Sequence, residues 1–175
     1  DALIELLKLV DLDTDALPLI ARHNPCSKFA GPESCSPGYD ECGIAPSRRL
    51  ILEVDRSYEL GDVVLQTAKA DHGELSPSAL AFLLRFEKVL VLFTGDTALR
   101  PELMQPFVDA KPDILLPCIN GKYGNMNSDE AADLAALVKP RAVIPCHFGM
   151  FGEHNGDPEC FAAACARTCP SVDVV

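Results

Sequence analysis

The chain has 175 residues, 48% hydrophobic and 23% charged, a balance that suits one globular domain over residues 1–175. Lys and Arg number 15 against 26 Asp and Glu, so the formal charge is −11; such a surface repels phosphate and argues against nucleic acid or an anionic membrane face as partner. No apolar stretch approaches the ~20 residues of a membrane span, so no membrane partner is expected.

Leu3, Leu6, Leu7 and Val10 share a face at helical spacing, which predicts a helix over residues 1–10. Asp13 or Thr14 is placed to cap a second helix through Leu17, Ile20 and Ala21, with Pro18 in its first turn. Residues 28–30 read as a short strand, and 33–48, rich in Pro, Gly, Ser and Cys, as loop or one weak helix. Strands are predicted at 50–54 and 63–68, with a strand end and turn at 58–62 between them. Ser76-Pro77-Ser78 opens a short helix or turn. Leu80, Phe82 and Leu84 alternate, which predicts a strand turning at 86–88 into a hairpin with Val89–Phe93. That last run is apolar at every position and closes on Thr94-Gly95-Asp96-Thr97, the pattern of a strand covered on both faces. Beyond it follow a helix at 101–108, a strand at 113–116, a helix at 131–138 capped by Asn127 or Ser128, a buried strand at 141–146, a helix from Asp157-Pro158 and a terminal strand at 171–175. This alternation predicts a layered α/β fold.

Eight cysteines invite a disulfide framework. Against it, Cys118 and Cys146 sit at apolar strand ends like small hydrophobes, and Cys26, Cys35 and Cys42 lack the tight knuckle of a structural zinc site. With no secretory-signal pattern at the start, reduced thiols and a cytoplasmic location are expected.

Three strands end in groups that carry chemistry: His72, Asp96 and His147. Layered α/β folds bind ligands beyond the carboxyl ends of their strands. Two imidazoles and a carboxylate suit Zn, Mn or Fe, and their wide separation in sequence means that only the fold can assemble them. Each has an ordinary reading as well: Asp96 as a turn residue, His147 as a satisfied histidine at a sheet end, His72 as a surface loop residue. The stretch from Asn120 to Asn127 carries two Gly, three Asn, Lys122 and Tyr123 and leads into a helix start. Such a segment holds an oxyanion or phosphate, or is an ordinary Gly/Asn turn. It is no Walker loop, and no G-x-S-x-G nucleophile occurs. His154 lies in a loop after the His147 strand and either stays solvated or reaches substrate; His23 reads as a cap or surface residue.

Asp71-His72-Gly73-Glu74-Leu75-Ser76, Phe93-Thr94-Gly95-Asp96-Thr97, Pro112-Asp113-Ile114-Leu115-Leu116-Pro117, Asn120-Gly121-Lys122, Met126-Asn127 with Glu130-Ala131, and Val143-Ile144-Pro145-Cys146-His147-Phe148-Gly149 together resemble the metallo-β-lactamase fold superfamily. Within it they resemble the branch that includes L-ascorbate-6-phosphate lactonase. The resemblance covers nearly the whole chain from about Asp13. It implies a four-layer αββα sandwich with a pair of divalent ions, Zn or Mn, at one edge of the sheets. It also implies that His72 serves the first metal, that Asp96, the catalytic carboxylate, bridges both, and that His147 serves the second. A metal-held hydroxide would open a lactone, with Asn120, Lys122, Tyr123, Asn127 and His154 toward the phosphate and sugar-acid end.

The early His-x-His-x-Asp-His motif of that superfamily is absent from these residues. The resemblance therefore implies either a sandwich missing its N-terminal part or one that has lost that part's ligands, with one ion or none, an uncovered sheet edge or face, and reliance on a partner, a second copy or the missing segment. The activity implied is a metal-dependent hydrolase that opens the lactone of a small sugar acid, phosphorylated or not. A phosphodiesterase or nuclease on the same fold and a truncated, non-catalytic domain are the alternatives.

Overall fold

The computed structural model describes the backbone of Ile4–Glu5 and residues 14–149, 152 and 155–175. The described elements run β1 (Ile4–Glu5), α1 (Ala16–His23), β2 (Lys28–Gly31), α2 (Ser36–Glu41), β3 (Arg49–Ile51), β4 (Ser57–Leu60), β5 (Val63–Lys69), β6 (Leu80–Phe86), β7 (Val89–Phe93), α3 (Pro101–Ala110), β8 (Ile114–Leu116), α4 (Ser128–Val138), β9 (Ala142–Val143), α5 (Pro158–Thr168) and β10 (Asp173–Val174). A small parallel sheet has the order β1-β2-β3, and a larger one β10-β9-β8-β7-β6-β5-β4.

The larger sheet changes character at β7. From β4 to β7 it is an antiparallel meander; from β7 to β10 its neighbours are parallel. Parallel neighbours need long crossovers, and α3, α4 and α5 supply one each. Those helices bury Met104, Phe107, Leu134, Ala135 and Phe161 on one face of the sheet, against Leu83, Leu92, Leu115 and Val143. The opposite face meets the small sheet through Leu65, Leu80, Phe82 and Leu84, packed with Ala30 and Leu52. Outside the small sheet, Leu17 of α1 and Tyr39 of α2 close over Phe29 and Ile44. The layers are thus helix, sheet, sheet, helix: the expected αββα sandwich. The unbroken apolar run of β7 has its explanation here. Leu90 and Leu92 face the helix-side core, while Val91 and Phe93 face the core between the sheets.

Several elements differ from the sequence expectation. Ile4–Glu5 is a strand, paired in parallel with Lys28 and Phe29, and the rest of the helix expected at 1–10 lies outside the described residues. Helix α1 has Asp15 at its N-cap with no side-chain cap bond; Thr14 stays in a turn and Asp13 lies outside the described residues. Residues 33–48 hold α2 and two 3-10 turns, ordered by the burial of Tyr39. The strand expected at 50–54 is Arg49–Ile51. Ser76-Pro77-Ser78 forms a turn, one of its two expected readings, and the 3-10 turn lies before it at Gly73–Leu75. The last buried strand shortens to Ala142–Val143 because Pro145 brings no N–H to the ladder; Ile144 and Cys146 still donate to Leu115 and Pro117 of the β8 segment. All eight cysteines are free thiols. No helix among the described residues is long and apolar enough to cross a membrane.

Candidate metal centre

Asp96 lies in the turn that ends β7. Gly95 has φ +60°, and a Cβ there would stand 2.8 Å from the carbonyl oxygen of Leu80, so the turn runs hard against the start of β6 and only glycine fits. The surrounding strand ends are tied to this turn by short bonds. The Thr97 hydroxyl accepts from the Asp71 amide at 2.9 Å, and the Ala98 amide donates to the Asp71 carbonyl at 2.8 Å. Met126 donates to the Thr97 carbonyl, and Ile119 to that of Cys146. The segments carrying His72, Asp96, His147 and the Asn-rich loop therefore form one fixed edge.

At that edge His147 and Asp96 meet. Nδ1 of His147 lies 2.6 Å from Oδ1 of Asp96, and the two side chains are only 8% and 11% exposed. The contact brings an imidazole nitrogen and a carboxylate oxygen, two metal-ligating atom types, together at the strand ends. His147 has φ +56°, a left-handed backbone that costs a bulky residue roughly 1–3 kcal/mol and that clusters at functional sites. His72 is buried, contrary to its reading as a surface loop residue, and its Nδ1 has no hydrogen-bond partner among the described residues.

The donor types suit a divalent ion. Their arrangement is incomplete. Two ligand atoms on one tetrahedral zinc, each about 2.1 Å from it, stand roughly 3.4 Å apart, so the 2.6 Å pair would have to open to admit an ion. No group of three His, Cys, Asp or Glu close enough to hold a metal occurs among the described residues, so His72 is not gathered with the other two. Catalytic zinc sites use three protein ligands. The kind of donor fits; the number does not.

The expected substrate residues divide. Asn120 is fully buried and neither amide atom has a partner. Lys122 and Tyr123 are exposed on a turn closed by the Asn125 amide on the Lys122 carbonyl, with φ +57° at Tyr123 and +83° at Gly124, a type I′ turn. Asn127 is committed to α4: its Oδ1 accepts from the amides of Asp129 and Glu130, and Glu130 bonds back to its amide. His154 lies outside the described residues. Two residues went unnoticed in the sequence. Asn125 is buried with both amide atoms unpartnered. Arg100 is ion-paired with Asp71 and lines a cleft of 390 Å³ together with His72 and Tyr123. Burial of an asparagine and pairing between distant loops leave no local sequence signal.

An αββα sandwich with imidazoles and a carboxylate at the strand ends along one edge is the architecture of the metallo-β-lactamase fold. A family model described as the beta-lactamase superfamily domain matches residues 32–147, and the chain belongs to that family, the metallo-β-lactamase fold superfamily. Metal-dependent hydrolysis is the general activity within it. Among solved structures the chain is similar to Igni18, a metallo hydrolase from the archaeon Ignicoccus hospitalis, with TM-score 0.79 and 20% identity over 98% of this chain and 74% of that one. It is also similar to the metallo-beta-lactamase fold protein YhfI from Bacillus subtilis, with TM-score 0.74 and 15% identity over 98% and 73%. A long form of RNase Z from yeast shares the fold at TM-score 0.63 and 12% identity, over 85% of this chain and 29% of that one. At these identities the likeness is one of fold. None of the curated proteins matches the chain.

Proposed function

We propose that the chain carries part of a metallohydrolase centre, with His72, Asp96 and His147 as its ligands, and that the described residues alone hold a divalent ion weakly and support little or no hydrolysis. The observation that carries this reading is the buried Asp96–His147 contact at the strand ends of a superfamily member, with no third ligand gathered beside it among the described residues. Zn and Mn are the ions the donor set suits.

Two bonds are candidates for cleavage. A lactone of a small anionic sugar acid is supported by the likeness of the Asn120–Asn127 stretch to the lactonase branch and by the buried, unpartnered amide of Asn120. A phosphodiester is supported by the fold shared with RNase Z, and the charge of −11 favours a small ester over a polynucleotide. Wild type, Asp96→Ala and His72→Ala should be dialysed against Zn or Mn and assayed for metal. Wild type is expected to retain fewer than about one ion per chain, and Asp96→Ala none. Two tightly held ions in wild type, or equal metal in all three proteins, would overturn the reading. Strong turnover of a lactone or phosphodiester by wild type would overturn the weak-activity part of it.

A further inference from the structure

The cleft beside His72 has a built cation that the centre itself does not use. Its walls include Leu75, which is 67% exposed, and Tyr123, 55% exposed, two large apolar surfaces that a ligand would cover. Arg100 stands in the same wall. Its Nε donates to Oδ2 of Asp71 at 2.6 Å. The two terminal guanidinium nitrogens make no hydrogen bond among the described residues.

Asp71 is itself held at three points. Its amide donates to Thr97, its carbonyl accepts from Ala98, and its second carboxylate oxygen accepts from the Gly73 amide at 3.2 Å. Arg100 and Asp71 thus form an ion pair between the loop after β5 and the start of α3. Arg100 is also the N-cap residue of the ten-residue helix α3, whose positive end adds to the local potential. Glu74 lines the cleft as well, but it is exposed and screened by solvent, whereas the charge of Asp71 is already matched by Arg100. His72 lines the same cleft, and its buried Nδ1 has no hydrogen-bond partner among the described residues. A fork held at Nε, with both ends unbonded, matches the two oxygens of a carboxylate or phosphate.

We propose that Arg100 is the specificity-determining residue of this cleft: its terminal nitrogens pair with a carboxylate or phosphate oxyanion on a molecule whose apolar body lies against Leu75 and Tyr123. That this molecule is a substrate rests on the hydrolase reading; that it binds does not. Asp71 is a positioning residue, acting through Arg100.

The test uses the full chain stripped of metal with a chelator. Benzoate, phenyl phosphate and the neutral benzamide are titrated while the backbone amide resonances are followed. Both anions should shift the signals of His72, Arg100 and Tyr123 saturably, and benzamide should not. The tighter of the two anions identifies the oxyanion preferred. Arg100→Gln should weaken anion binding about tenfold or more, and Arg100→Lys should restore only part, because an ammonium lacks the fork. Asp71→Asn should weaken it as well, by releasing the guanidinium. Arg167→Gln, which removes an exposed cation paired with Asp129, should bind like wild type. Unchanged resonances outside the cleft establish that each variant is folded. Benzamide binding as well as the anions, Arg100→Gln binding like wild type, or no saturable binding by wild type would each overturn the proposal. Failure of the hydrolase reading appears separately, in metal retention and turnover.

Discussion

Gly95 decides how Asp96 is presented. Its φ of +60° is open to glycine at little cost, and the 2.8 Å approach to Leu80 leaves no room for a methyl group. The obstructing atom is a backbone carbonyl at the start of β6, so no side-chain rotation relieves it. Gly95→Ala should therefore cost about 1–3 kcal/mol. For a chain of this size each kcal/mol lowers the melting temperature by about 2–4 °C. A thermal melt followed by circular dichroism measures it, and an unchanged melting temperature would mean that the turn relaxes without strain. His147 stands at the opposite extreme, a bulky residue in the same left-handed region. The fold supports that strain at the position where an imidazole must meet Asp96.

At the level of elements, α4 shows a side chain expected at the substrate end serving as a helix cap. Asn127 and Glu130 form a reciprocal capping box, so Asn127→Ala should destabilise the protein by about 1 kcal/mol, while Asn127→Asp keeps the acceptor and should melt near wild type. Urea denaturation of both variants checks this; equal loss in the two would show that the amide nitrogen, not the cap, matters. The spacing of Asn127 and Glu130 made this cap legible in the sequence, as Asp157-Pro158 did for α5. The long strands β5, β6 and β7 were legible too, because their apolar pattern is set by burial along five to seven residues. Short strands were legible where apolar runs closed on turn signals, though their bounds were not; Ile4–Glu5 was missed, because it exists through its pairing with β2 and two residues carry no period. The site divides in the same way. Polar residues closing apolar runs marked His72, Asp96 and His147 as strand ends. The direct Asp96–His147 contact, the isolation of His72 and the Asp71–Arg100 pair depend on how distant loops are sewn together, which no local pattern encodes.

For the molecule as a whole, buried thiols set an alkaline limit. Burial pushes Cys35 in the outer helix layer and Cys118 in the helix-side core up to about 11, and Cys165 on α5 up to about 12. For Cys118 the charge of nearby Asp96 adds to the rise. In the unfolded chain these thiols titrate near 9. Below that pH both states are protonated and the stabilisation is fully present. Between about 9 and 11 the unfolded state loses protons that the folded state keeps, so stability falls as pH rises. For Cys118, which is completely buried, a rise of two units corresponds to about 3 kcal/mol. The acid side has the opposite sign. The Asp71 carboxyl is lowered by Arg100 and that of Asp157 by the Glu159 amide; their contributions vanish as pH falls through those depressed values, and both groups are exposed enough for solvent to keep them small. The buried thiols should thus make the stability profile steep above pH 9. Urea midpoints measured at about pH 8, 9.5 and 10.5 should drop progressively in wild type. In Cys118→Ala, which starts lower for want of packing, the decline between about pH 8 and 10.5 should be shallower by about 2 kcal/mol. Parallel declines in the two proteins would place the alkaline sensitivity elsewhere, in the loss of lysine charge from a chain that already carries −11.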